Sequence, residues 1–287
     1  MKKLIIDRKV QNLAIILFSF FLLTSGYSKN DVLGFLIKGN EYTLSLLKSG
    51  IIREESKVEF SPEFLEKRYD PGEKYEIYGI FKDDKFYQEV LVTMAKSKKI
   101  HKSIIAYNGQ YTTAIDVLID KMGKEIKESK SGAIYPEKHH FIPDEYSMIK
   151  LFRELMKESN SKKLIGEKVI DGDRCYEIEI ETQYSTKKIY LDTDCGYLIK
   201  KIISIDKETK QIKSEYVVKK FKKFGNIWYP VEIERKSYNN GKCWQKDYIV
   251  VKEFIPNPKI DDKIFTIKFP KGLLIWDGIT KRSFFAP

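Results

Sequence analysis

Polar and apolar residues alternate along most of this chain. In residues 175–181 the alternation is complete: Tyr176, Ile178 and Ile180 fall on one face of an extended segment, and three glutamates fall on the other. A period of two residues predicts a β-strand. The same pattern, with a few irregularities, recurs in residues 73–81, 85–94, 100–107, 187–191, 197–205, 213–221, 227–235 and 248–254.

The connections between these segments predict how the strands are joined. They are short and rich in turn formers, such as Asn108-Gly109 and residues 239–241 (NNG), and such residues favour hairpins. About ten strands joined by hairpins form an antiparallel sheet, and helices must cover one of its faces. We therefore expect an α+β fold built on one large, curved antiparallel sheet. Each half of the chain has too few strands to cover itself, so a single domain over residues 27–287 is favoured over two.

Two segments have helical periodicity. Residues 31–48 are apolar at helical spacing but contain Gly39, which predicts two short helices or one broken helix. Residues 121–145 are polar, contain glycines and prolines and predict a long loop. An amphipathic helix is predicted over residues 145–157, either packed on the sheet or free to lift from it as a lid. Its apolar face comprises Met148, Leu151, Phe152, Leu155 and Met156.

The first 28 residues have the organisation of an export signal. Four basic residues precede an apolar run at residues 13–23, and mostly small residues follow it. Eleven residues are too few to cross a bilayer, which needs about 20, so a retained anchor is the weaker interpretation. We expect residues 1–26 to be a signal peptide and the mature protein to be periplasmic or otherwise extracytoplasmic. The first cysteine is Cys175, so no lipid is attached at a new N-terminal cysteine.

Charge narrows the set of partners. The chain carries a formal charge of +11, and residues 1–26 hold four basic residues and one acidic residue, which leaves 11 − 3 = +8. The lysines are scattered among the strand-like segments, which is typical of a solvated surface but also favours attraction to an anionic membrane surface. The chain has no helix-turn-helix, zinc-finger or RNA-binding signature, so we expect no nucleic-acid partner.

The three cysteines leave two arrangements open. Cys175 and Cys195 flank a predicted hairpin, and if its turn centres on Ser185 the two residues are directly opposed. Opposed Cα atoms lie about 4.5 Å apart at a non-hydrogen-bonded site, which a disulfide tolerates. The pair is therefore either bridged or reduced, and Cys243 stays free.

No recognisable catalytic motif is present. The chain has no nucleophile elbow, no glycine-rich phosphate loop and no HExxH pair, so we expect no enzyme. His139 and His140 lie near carboxylates, but adjacent residues of an extended segment point to opposite sides, which favours a solvated loop. Asp192 and Asp194 resemble part of a calcium loop that lacks its final glutamate, so a tight turn is favoured. We therefore expect no metal and no cofactor, and a structural role for His101.

Three segments carry a family resemblance. Residues 224–233 (FGNIWYPVEI), residues 262–267 (DKIFTI) and residues 172–178 (GDRCYEI) resemble parts of LolA-like periplasmic lipoprotein carriers. The resemblance spans roughly residues 50 to 275 of the chain. It implies an incomplete antiparallel barrel whose concave apolar face is covered by helices and holds lipid or lipoprotein acyl chains. The strand arginine that holds the lid of the carriers cannot be placed in this chain, which favours binding over active lipoprotein transfer.

The resemblance and the periodicity together suggest a ligand-binding surface. Burying each CH₂ group of an acyl chain contributes about 0.8 kcal/mol, so reversible burial needs no covalent step. Two other classes remain open: a structural or sensory envelope protein with a filled core, and a hydrolase, for which no nucleophile is identified. The expected ligand-binding residues are Phe81, Met148, Leu151, Phe152, Leu155, Tyr176, Ile178 and Ile180.

Export generates the first prediction. We expect cleavage after Gly26 or Ser28, because small residues occupy both positions behind the apolar run. N-terminal sequencing of the protein from the envelope fraction should start at Tyr27 or Lys29. A chain that still starts at Met1 would contradict it.

Overall fold

The computed structural model describes most of the chain. The described residues are 28–67, 70–120, 124–126, 129–136, 152–153, 155–157 and 161–287. The predicted signal peptide, the two adjacent histidines His139 and His140, and the predicted ligand-binding residues Met148 and Leu151 lie outside them.

Strands make up most of the described part. In chain order they are β1 (Ser49–Phe60), β2 (Gly72–Lys82), β3 (Lys85–Met94), β4 (Ile100–Tyr107), β5 (Thr112–Ile119), β6 (Ser131–Tyr135), β7 (Ser161–Ile170), β8 (Asp173–Glu181), β9 (Ser185–Asp192), β10 (Leu198–Asp206), β11 (Ile212–Phe224), β12 (Ile227–Asn239), β13 (Lys242–Pro256), β14 (Leu274–Asp277) and β15 (Arg282–Phe285). Helices α1 (Lys29–Ser45) and α2 (Pro62–Lys67) accompany them, with a 3₁₀ turn at Asp262–Phe265. Residues 152–153 and 155–157 are also helical.

All of these strands belong to one sheet. Their order across it is β15-β14-β6-β5-β4-β3-β2-β1-β13-β12-β11-β10-β9-β8-β7. Neighbouring strands of the sheet are consecutive in the chain except in two pairs. These are β1 with β13 and β6 with β14. The β6–β14 pair is parallel and the others are antiparallel. The sheet is open, so the predicted incomplete barrel, a large antiparallel sheet with few helices, is confirmed.

Part of the predicted loop at residues 121–145 is a strand. Residues 131–135 form β6, and Glu125 makes an isolated bridge to Ile119. Gly132 interrupts the strand pattern in the sequence. Packing requires a glycine there, because a Cβ atom at this position would lie 2.9 Å from the ring of Phe269. The strand therefore depends on a segment more than a hundred residues away, which local periodicity does not show.

Helix α1 is continuous, so the predicted break at Gly39 is wrong. A Cβ atom at this position would lie 2.6 Å from ring atoms of Tyr197, so glycine lets the helix approach the sheet closely. The next residue, Asn40, donates its side-chain N–H to the carbonyl oxygen of Tyr197 at 2.9 Å. Leu33 and Leu36 on the same helix are buried. The helix is thus fastened across the β9–β10 turn.

The start of α1 bears on the predicted cleavage site. Ser28 is the N-cap: its side chain accepts a hydrogen bond from the backbone N–H of Asp31, and the Asp31 carboxylate accepts one from the backbone N–H of Ser28. Losing such a cap costs about 1 kcal/mol of helix stability. Cleavage after Gly26 keeps this capping box and cleavage after Ser28 removes it. We therefore favour Gly26.

Apolar side chains form two adjoining cores on the concave face of the sheet. The covered core lies beneath α1 and the helical residues 152–153 and 155–157, and the central core lies between α1 and the middle strands. In the central core the ring of Tyr229 stacks on Phe254 with 3.8 Å between centroids. The covered core includes Leu33, Leu36, Phe152, Leu155, Met156, Leu164, Ile178, Ile180, Ile189 and Leu191. The central core includes Leu47, Ile52, Phe81, Phe86, Leu198, Tyr229 and Phe254.

The predicted opposition of Cys175 and Cys195 is wrong. In the β8–β9 pair Cys175 lies opposite Asp192, because the hairpin centres between residues 183 and 184 and not on Ser185. Both cysteines are free thiols, and Cys195 lies in the next turn. There the carboxylate of Asp192 accepts hydrogen bonds from the backbone N–H groups of Asp194 and Cys195 at 2.9 and 3.0 Å. The residues that resemble a calcium loop form this tight turn.

The two glycines of α1 generate a stability prediction. Replacing a helix-interior glycine with alanine ordinarily stabilises a helix by roughly 0.5–1 kcal/mol. Gly34→Ala should do so, because a Cβ atom there would meet no heavy atom within 4 Å beyond its own helix backbone and chain neighbours. Gly39→Ala should instead lower the free energy of unfolding, because the methyl group collides with the Tyr197 ring. Urea denaturation measures both, and equal effects would contradict the close approach of helix and sheet.

The thiols generate a reactivity prediction. Burial raises the pKa of Cys175 to about 12, and burial, followed by the neighbouring Asp192 carboxylate, raises the pKa of Cys195 strongly. Since the thiolate is the reacting form, only the exposed Cys243 should be alkylated rapidly by iodoacetamide in the native protein. Peptide mass spectrometry identifies the modified cysteines. Rapid labelling of Cys175, or a Cys175–Cys195 disulfide, would overturn this assignment.

Candidate functional site

The concave face has an open groove beside the two cores. Its volume is about 510 Å³, within the range of roughly 300–1,000 Å³ that is typical of small-molecule sites. Val58, Ile105, Ala114 and Ile249 are buried in its floor. Three further apolar side chains, Ile77, Val90 and Val92, line the groove and are only half-buried.

Strand register brings these side chains together in rows. Ile77 on β2 lies opposite Val90 on β3, Val90 lies opposite Ser103 on β4, and Ser103 lies opposite Asp116 on β5. The neighbouring row comprises Gly79, Gln88, Ile105 and Ala114. Because successive side chains of a strand alternate between faces, residues 88, 90 and 92 of β3 enter the groove while residues 89 and 91 lie on the convex face.

An ion pair forms one polar wall of the groove. Asp247 on β13 is buried, and its Oδ2 atom lies 2.8 Å from Nη2 of Arg235 on β12. The Asp247 Oδ1 atom accepts a hydrogen bond from the side-chain amide of Gln245 at 2.8 Å. Burial and, secondarily, the charge of Asp247 raise the pKa of Tyr75, so this phenol stays protonated. Both oxygens of the buried Asp247 carboxylate therefore have a partner.

The opposite wall has a second carboxylate. Asp116 accepts a hydrogen bond from the hydroxyl group of Ser103, and its Oδ1 atom lies 3.5 Å from Nε2 of His101. His101, for which the sequence suggested a structural role, therefore lines the groove. With Glu54 and Asp247, Asp116 gives the groove three carboxylates, against a single guanidinium group at Arg235. The polar part of the groove is thus rich in hydrogen-bond acceptors.

Gln88 lies between the walls with an unused acceptor. Its side chain is 4% exposed, and the Oε1 atom has no hydrogen-bond partner among the residues that the structure describes. A buried polar group without a partner costs roughly 1–3 kcal/mol. A bound molecule with an N–H or O–H group at this point would satisfy it.

The sequence-predicted site residues lie mainly beside the groove, in the cores. Phe152, Leu155, Ile178 and Ile180 meet in the covered core, each at most 4% exposed. Phe81 is separated from them in the central core. Tyr176 packs at the edge of the covered core and donates its hydroxyl hydrogen to Glu167 at 2.8 Å. None of these six side chains lines the groove.

The sequence contained a partial signal for the groove residues. The alternation of residues 85–94 places Gln88, Val90 and Val92 on one face, as the structure does. The contribution of β1, β5 and β13 depends on which strands are neighbours. That is set by pairing over long sequence distances, which periodicity does not report.

The described residues also bear on metals and membranes. Among them, no group of three or more His, Cys, Asp and Glu side chains is arranged to hold a metal ion. Within the same part of the chain, every helix is too short or too polar to span a bilayer.

Comparison with known proteins identifies related architectures. Neither a protein-family model nor a curated protein matches the sequence. Among solved structures, a DUF1329 family protein from Desulfovibrio piger superposes with a TM-score of 0.51 at 13% identity, covering 81% of this chain and 96% of that one. This likeness shows a shared fold.

LolA superfamily proteins are also among the structures that the chain resembles, as its sequence predicted. One from Nitrosomonas europaea has a TM-score of 0.48 at 10% identity and covers 82% of this chain and 97% of its own. A putative outer membrane lipoprotein-sorting protein domain from Vibrio parahaemolyticus has a TM-score of 0.47 at 9% identity, covering 80% and 95%.

Proposed function

We propose that this chain is an exported, non-catalytic binding protein that holds a lipid or lipoprotein acyl chain in the concave groove. The observation that carries the proposal is an open groove with an apolar floor on an otherwise filled concave face. The signal-like N-terminus supports export to the periplasm or another extracytoplasmic compartment.

The half-buried side chains of the groove supply the driving force. Ile77, Val90 and Val92 leave apolar surface partly in water, and an acyl chain laid along them removes it. Each CH₂ group buried contributes about 0.8 kcal/mol. The total is reduced by the loss of translational and conformational freedom on binding, so a long chain is required for useful affinity.

The polar walls favour an amphipathic ligand over a pure hydrocarbon. The free Oε1 acceptor of Gln88 and the carboxylates of Asp116 and Asp247 lie in the same groove as the apolar strip. A head group with N–H or O–H donors would satisfy Gln88 while its chain covers Val90 and Val92. The net positive charge that remains without residues 1–26, 11 − 3 = +8, supports encounter with anionic membrane lipids.

The covered core is proposed as an extension of the site. Phe152 and Leu155 close it together with Ile178 and Ile180, so a ligand reaches these residues only when the helical residues 152–153 and 155–157 lift from the sheet. In the groove, by contrast, Ile77, Val90 and Val92 are already partly exposed, so binding along them does not require a helix to lift. The groove is therefore proposed as the primary site.

Two neighbouring substitutions on β3 test the groove. Val90→Asp places a charge on the apolar strip and should weaken binding of a fluorescent long-chain acyl probe with an uncharged hydroxyl head group by about tenfold or more, since burying a valine contributes about 1.5–3 kcal/mol. The matched control Leu91→Asp puts the same charge on the convex face of the same strand. It should leave the affinity unchanged, as measured by fluorescence titration.

The outcomes separate the remaining alternatives. If neither the parent protein nor the control binds the probe, and native mass spectrometry finds no retained lipid, a structural or sensory envelope role replaces the proposal. If Val90→Asp binds normally while Phe152→Asp with Leu155→Asp abolishes binding in a protein with an intact circular dichroism spectrum, the covered core is the primary site. If the double variant unfolds, that core is a static part of the fold.

A further inference from the structure

Exposed apolar side chains are concentrated in the β14–β15 hairpin. Of the twelve large apolar side chains that are exposed in the described part of the chain, five lie between residues 274 and 285. They are Leu274 (48% exposed), Trp276 (42%), Ile279 (54%), Phe284 (42%) and Phe285 (70%). Single exposed apolar residues are ordinary on protein surfaces, but a contiguous group marks an interaction site.

The hairpin is held firmly although its outer side chains are exposed. Ile275 is 1% exposed and packs with Leu273 and Ala286 in a small core on the convex side of the sheet. The backbone N–H of Gly278 donates to the carbonyl oxygen of Ile134 at 2.7 Å, fastening the turn to β6. The exposure of the aromatic rings is therefore a property of a packed element.

Three of these exposed side chains, Leu274, Trp276 and Phe285, lie on the face that contains the groove, whereas Phe284 is opposite Ile275 on the convex face. Trp276 is in register with Ala133 of β6, and Ala133 lies opposite Ala114, a floor residue of the groove. Leu274 and Phe285 are directly opposed on the same face as Trp276. The concave face thus continues from the groove, across β6, onto an apolar ledge at the edge of the sheet.

The segment that forms this ledge is basic. Residues 271–287 contain three basic residues, Lys271, Lys281 and Arg282, all exposed, and one acidic residue, which gives a net charge of 3 − 1 = +2. That acidic residue, Asp277, accepts hydrogen bonds from the hydroxyl group of Thr280 and from two backbone N–H groups of its own turn. Exposed aromatic rings beside cationic side chains match the interface of an anionic bilayer.

We propose that the β14–β15 hairpin docks the protein on an anionic lipid bilayer, with Trp276 and Phe285 entering the head-group region. Docking in this way brings the end of the concave face to the membrane, so a lipid chain can pass along the ledge toward the groove. Bilayer docking itself does not require the groove to bind a lipid.

Vesicle flotation tests the docking surface. The protein is used in the form in which it is purified from the envelope fraction. Vesicles of phosphatidylcholine with phosphatidylglycerol should carry the protein upward, and phosphatidylcholine vesicles should carry much less. Trp276→Ser with Phe285→Ser should lower the apparent affinity for the anionic vesicles by about tenfold or more, because two interfacial aromatic anchors are lost. Lys281→Glu should lower it by about fivefold and weaken its salt dependence.

A matched control replaces two equally exposed apolar side chains at the other end of the sheet. Val169 and Tyr184 are 72% and 71% exposed and belong to the β7–β9 end of the sheet, far from the hairpin in the strand order. Val169→Ser with Tyr184→Ser should leave flotation unchanged. All variants have the same N-terminus, so a difference in flotation between them is due to the substituted side chains.

Three outcomes decide the proposal. Equal flotation of the hairpin and control variants overturns it, as does binding that ignores lipid charge. If the parent protein does not bind vesicles but forms a dimer, and the hairpin variant is monomeric, the ledge is instead the interface with a second copy of the chain. The hairpin variant should still bind the fluorescent acyl probe and Val90→Asp should still float, so failure of docking and failure of groove binding are separable.

Discussion

The pairing of β1 with β13 is the interaction on which the structure depends. It joins residues 49–60 to residues 242–256 and so fuses an N-terminal meander and a C-terminal meander into one sheet. Without it, β1–β5 would have an unpaired edge at β1, and the groove would lose the wall formed by Arg235, Gln245 and Asp247. A register shift between Arg53 and Glu54 lies within this pairing, and such bulges increase local twist and curvature.

Curvature then divides the concave face into a filled part and an open part. Toward β7–β10, helix α1 and the helical residues 152–153 and 155–157 supply leucine, phenylalanine and methionine side chains that fill the concavity. Toward β2–β4, the described residues offer no equivalent cover, and Ile77, Val90 and Val92 stay half-buried. The difference follows from the anchoring of α1 at the β9–β10 turn through Gly39 and Asn40, since that contact holds the helix over one end of the sheet.

Polar side chains in the open part of the concave face form ion pairs and hydrogen bonds with one another. Arg235 and Asp247 offset each other's charge, and Asp116 is supported by Ser103. A pair whose carboxylate is buried and whose guanidinium group is partly exposed contributes little net stability, because desolvation and solvent screening offset its attraction. The pair therefore contributes mainly to the geometry of the groove wall, where the unused acceptor of Gln88 also lies.

The sequence by itself determined the class of fold and much of its local structure. Alternation located β3 and β4 at their observed bounds, and the amphipathic pattern identified Phe152 and Leu155 as side chains that require burial. It misplaced Cys195 because a shift of the hairpin centre by between one and two residues changes the opposed partner, and it missed β6 because Gly132 is selected by the distant Phe269. The tertiary structure alone decided where the concavity is open. That depends on which strands are neighbours and where α1 is anchored, and both are set by contacts between residues far apart in the chain.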